Sequence, residues 1–122
     1  MTPAARLKRY KIDKFTETMV GVDGDPYLAL KSLQEQRTDL ARRIADTSPA
    51  QRAELYQELQ AIDGARLKLL RFQSGLTWAQ MAELFASNTT TLTRWASEAC
   101  IMPGPAIKLL DRLEMEIQSS TR

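Results

Sequence analysis

The sequence predicts an all-α protein. Two observations carry that prediction: apolar residues recur at helical spacing along most of the chain, and helix-start residues stand immediately ahead of those stretches. Glycine and proline punctuate the intervals between them, dividing the chain into a basic arm (residues 1–25), a helical hairpin (26–62) and a compact C-terminal unit (63–122).

The arm opens with Arg6, Lys8, Arg9, Lys11 and Lys14 against the single acid Asp13. Such a run is either a solvated tail or a segment that touches phosphates. Gly21, Gly24 and the stretch DGDP mark a turn. Asp25 there is placed to cap a helix beginning at Pro26, a position where a missing N–H costs nothing. Leu30, Leu33, Leu40 and Ile44 follow on one side, interrupted by Arg37, so this helix should run to about Ala45.

A second start signal lies in TSPAQ. Ser48 is the expected cap, Pro49 occupies the first turn, and Gln51 stands at capping-box distance. Leu55, Leu59 and Ile62 form the next apolar stripe. Two antiparallel helices over 26–62, each with one narrow stripe, have too little surface for a stable core. They must pack on the C-terminal half or on a second copy, and a homodimeric four-helix contact is the expected solution. Leu67, Leu69, Leu70 and Phe72 continue the helical pattern, while Gly64 argues against one unbroken helix from 49 to 73.

Gly75 then fits a helix end and Thr77 a cap, with Met81, Ala82, Leu84 and Phe85 supplying the core face of a two-turn helix. After a break at Ala86 and Ser87, Asn88 caps another helix. Its consecutive threonines, Thr89, Thr90 and Thr91, are poor helix formers because β-branched side chains lose rotamer freedom. Leu92 and Trp95 anchor its inner face and leave Thr89, Thr90, Thr93 and Arg94 facing elsewhere. Short hydroxyl and methyl groups at the start of a helix suit close approach to base edges. Arg94 can alternatively pair with Glu98 at i and i+4. Beyond Pro103 to Pro105, Ile107, Leu110, Leu113 and Ile117 mark a closing helix.

The span 64–114 resembles the Cro and phage-repressor family of helix-turn-helix proteins, also called the xenobiotic-response-element family. SGLTWAQMAELFASNTTTLTRW carries the likeness: a Leu-Thr start, a helix with an inner alanine, a turn, and a second helix ending in Arg-Trp. The resemblance implies a lambda-repressor-like domain in which Ala82 sits at a helix crossing and Leu92 and Trp95 are core anchors. It further implies that Asn88, Thr89, Thr90, Thr93 and Arg94 touch DNA. Trp78 stands where relatives often carry a glutamine that braces phosphate and recognition helix. Ala86 and Ser87 replace the usual glycine and apolar residue, so a modified turn is expected. Trp78 and Arg71 join the expected DNA contacts, with half-buried packing as the alternative for Trp78, and Arg66, Lys68 and Arg71 form either a solvated face or a phosphate-facing one.

Composition excludes other classes. The 122 residues hold no histidine and one cysteine, Cys100, which removes an internal disulfide, most metal sites and the usual general base. The carboxylates show no paired arrangement along the sequence, so neither enzyme chemistry nor a cofactor or metal is expected. No apolar run reaches the roughly 18 residues of a membrane span, and the N-terminus lacks the apolar stretch of a secretory signal, so a cytoplasmic protein is expected. Net charge is only +2, and local charge decides the partner. Three functions fit: a dimeric transcriptional regulator, a repressor on a palindromic double-stranded operator; a phage or plasmid DNA-handling protein such as a small terminase subunit or partition adaptor; and an antitoxin-type protein-binding module. The first leads, since no ligand-binding domain is in view.

Overall fold

The computed structural model describes residues 14–97 and 100–120. The described residues form six helices and no strand: α1 Lys14–Gly21, α2 Pro26–Ala45, α3 Pro49–Ser74, α4 Trp78–Leu84, α5 Thr89–Ala96 and α6 Gly104–Ser120. None of these helices is long and apolar enough to cross a membrane.

The cap of α2 forms as its sequence demands. The Asp25 carboxylate accepts from the backbone N–H groups of Tyr27 at 2.9 Å and Leu28 at 3.4 Å. At Ser48 the outcome differs, because its side chain makes no cap hydrogen bond. The capping box lies at α4 instead. There Gln80 N–H donates to Thr77 Oγ1 at 3.2 Å and Thr77 N–H donates to Gln80 Oε1 at 2.9 Å. Thr77 and Gln80 have the required spacing, so that signal was present in the sequence.

Two expectations about the hairpin change. Residues 14–21, inside the interval assigned to a basic arm, form α1, whose Phe15 and Met19 pack with Val22 onto the core between α2 and α3. Their i, i+4, i+7 spacing is that of an amphipathic helix. The basic residues Arg6, Lys8, Arg9 and Lys11 lie outside the described residues. With α1 in place the hairpin has a third layer. Leu33 and Leu40, the expected dimer contacts, are 0% and 3% exposed within it.

Helix α3 is continuous through Gly64 and serves two cores. Ile62, Ala65 and Leu69 belong to the core shared with α1 and α2, whereas Leu67 and Leu70 belong to the one shared with α4, α5 and α6. Gly64 is the crossing point with α5. A Cβ built there lies 2.9 Å from the carbonyl oxygens of both Trp95 and Ala96. The lost helix propensity is therefore offset by a close backbone approach that only glycine permits.

Between the two cores lies a charged network. Arg66, 2% exposed, is neither a solvated nor a phosphate-facing residue. Its Nε donates to Glu114 Oε2 at 3.0 Å, its Nη2 to Glu114 Oε1 and Asp111, and its Nη1 to Asp63 Oδ1 at 3.2 Å. Asp63 also accepts from Arg37 Nε at 2.7 Å, and Gln34 Nε2 donates to Glu114 at 3.4 Å. Carboxylates that look scattered along the chain thus converge from α3 and α6 on one guanidinium. Arg37, which interrupts the apolar stripe of α2, is explained by Asp63 without a second copy of the chain. Burial pushes the Glu114 carboxyl above its ordinary range, and the Arg66 guanidinium opposes that shift.

Removing one member of a buried pair leaves an uncompensated charge. Arg66→Met is expected to lose about 3–5 kcal/mol in urea unfolding, part of which returns when Glu114→Leu is added. A carboxyl whose folded pKa lies above its unfolded value adds stability below the unfolded pKa and loses it as pH rises through the folded one. Without Arg66 to hold Glu114 down, the single variant should recover stability as the solution is made acidic. Equal losses at all pH values, with no rescue by Glu114→Leu, contradict this account.

Candidate nucleic-acid interface

Helices α4 and α5 are short and owe their stability to caps and packing. The exit from α4 is a Schellman turn. Ser87 N–H donates to Ala82 O at 2.9 Å and Ala86 N–H to Glu83 O at 3.1 Å, and Ala86 takes φ 51°. This is the left-handed position that glycine fills at low cost, here occupied by an alanine. The expected modified turn is therefore modified in residue type, with a left-handed backbone. Leu84, expected in the core, is 47% exposed, because α4 ends there and the cap residue Phe85 takes the inward place at 9%.

Asn88 starts α5, its side-chain Oδ1 accepting from Thr91 N–H at 2.8 Å. One face of α5 is sealed: Leu92, Trp95 and Ala96 are buried, and the Trp95 ring meets Phe85 edge-on with centroids 6.3 Å apart. The other face carries Asn88, Thr89, Thr90 and Arg94, all exposed, with Thr91 and Thr93 half-buried. Thr93 Oγ1 donates to Thr90 O at 3.0 Å, which leaves the oxygen free to accept. Glu98, the alternative partner of Arg94, lies outside the described residues. The five residues expected on α5 are thus brought together at its start and along its outer side.

Arg71 and Trp78 form a second group, on the last turn of α3 and the first residue of α4. The Arg71 guanidinium carbon lies 5.2 Å from the centroid of a Trp78 ring, and both residues are half-buried. Cys100 is half-buried with a free thiol. Among the described residues no group of three or more His, Cys, Asp or Glu is arranged to hold a metal ion.

Compared with protein-family models, with curated proteins and with solved structures, the chain finds no match.

Two backbone positions control how α5 is held. Gly64→Ala gains about 1 kcal/mol of helix propensity and forces a methyl against two carbonyl groups, so a net loss of about 1–3 kcal/mol is expected in denaturant melts. Ala86→Gly relieves a left-handed alanine worth about 1–3 kcal/mol of strain and loosens the unfolded chain by about 0.4–1 kcal/mol. A gain near 1 kcal/mol should follow. A stabilising Gly64→Ala contradicts the close crossing.

Proposed function

We propose that the chain is a sequence-specific double-stranded DNA-binding regulator, with α4 and α5 as a helix-turn-helix and α5 as the element that enters the major groove. The observation that carries the reading is the division of α5 into a sealed apolar side and an exposed side made of Asn88, Thr89, Thr90 and Arg94. Weak helix formers at an exposed helix start have no value for packing. Their hydroxyls, methyls and the Arg94 fork match the hydrogen-bond groups and thymine methyls of a major groove. Repression by occupying an operator is the mechanism proposed for this surface.

The homodimer on a palindromic operator is a separate part of the proposal, and α1 covers the hairpin stripes that motivated it. Sedimentation at micromolar concentration tests it, and a monomeric mass refutes it.

Base reading and backbone gripping leave different signatures. Thr90→Ala and Arg94→Ala are each expected to lower affinity for a selected duplex by about 1–3 kcal/mol and to leave a scrambled duplex nearly untouched. Thr91→Ala, on a half-buried position, should be tolerated. Competition binding with circular dichroism as the folding control is the measurement. Equal losses on both duplexes would falsify the assignment of these residues to base edges.

A further inference from the structure

Four arginines among the described residues are buried or half-buried: Arg37, Arg52, Arg66 and Arg71. Arg37 and Arg66 are bound by carboxylates and Arg52 donates to the Thr47 carbonyl at 2.9 Å. Arg71 is held differently. Its contact is the face of Trp78, at 5.2 Å, and its Nε is buried with no hydrogen-bond acceptor. Stacking, and not a hydrogen bond, therefore orients this guanidinium. A planar cation fixed by an aromatic face keeps its terminal amino groups for an anion, and the fork geometry of arginine suits the two oxygens of a phosphate.

We infer that Arg71 grips a backbone phosphate of the duplex bound by α5 and that Trp78 acts through it, as a positioning residue that does not itself touch DNA. The inference rests on the DNA-binding reading above and deepens it. It divides the surface in two: α5 discriminates between sequences, and the Arg71–Trp78 pair adds affinity for any duplex, since phosphates carry no sequence information. The buried Nε fits this division. It takes no part in binding, so contact falls to the terminal amino groups, and a wrongly oriented stack cannot be corrected by a competing hydrogen bond. Trp78 thereby sets where the positive charge stands.

The test is a salt series on the wild type, Arg71→Gln, Trp78→Leu and the double variant, each bound to a selected and a scrambled duplex. Arg71→Gln should make the slope of log affinity against log salt shallower by about 0.9, the value for one phosphate, and weaken both duplexes by the same factor. Trp78→Leu should weaken both by about two- to fivefold in the presence of Arg71 and have no further effect in its absence. An unchanged slope for Arg71→Gln overturns the inference while leaving base reading by α5 intact. So does a loss from Trp78→Leu that is equally large with and without Arg71, the result expected of direct DNA contact or of simple loss of packing. Wild-type protein that binds neither duplex at low salt overturns the DNA-binding reading and this inference together. Should Trp78→Leu lower the urea midpoint, the Arg71→Gln slope decides alone.

Discussion

The buried guanidinium of Arg66 is the constraint on which the rest of the fold depends. A positive charge cannot be left in an apolar interior, and this one is matched by carboxylates from two helices: Asp63 one turn away on α3, and Asp111 and Glu114 on α6. Meeting that demand fixes the rotation of α6 about its axis, because Glu114 has to arrive 1% exposed and within reach of both Arg66 and Gln34. The same rotation points Leu110 into the core that supports α5. On the opposite side Asp63 takes Arg37 from α2, so one charge cluster sets the registry of three helices. Apolar packing alone tolerates small rotations; bidentate pairing does not.

Much of this architecture was legible in the sequence because its signals are local. Asp25 before Pro26, Gly75 after the last turn of α3 and Asn88 before the threonines each act within four residues, and each does so in the structure. The exposed and sealed sides of α5 also followed from spacing alone. Two of the misses come from distance along the chain. Arg66 and Glu114 are 48 positions apart, so no window of the sequence shows that they meet. Gly64 reads as a weakness in a helix until the backbone of α5 is seen against it. Helix α1 carried a readable period in Phe15, Met19 and Val22, masked by the density of charge just before it.

The candidate site combines these two kinds of information. Its chemistry, threonine hydroxyls and Arg94, is written in consecutive residues. Its placement depends on contacts outside the helix itself: the crossing at Gly64, the edge-on ring of Phe85, and the left-handed Ala86 that turns the chain between α4 and α5. The left-handed alanine shows how far the surroundings override local preference, since alanine itself favours the right-handed helix. The stack of Arg71 on Trp78 belongs to the same class, joining the end of one helix to the start of the next across a short connection.

Helix α3 also has a consequence for how such a protein can be altered by recombination. Its 26 residues span about 39 Å, and between Ile62 and Leu70 every residue except Lys68 is buried, one set serving each core. Each residue added or removed there turns everything beyond it by about 100°, which exchanges the side chains offered to the two cores. The boundary that the sequence suggests at residues 62 and 63 falls inside this helix and is thus the place where the chain is least able to be cut and joined to another. Grafting of the α4–α5 unit onto a foreign protein has to carry the whole of α3 with it, and with α3 the face that α1 and α2 must cover.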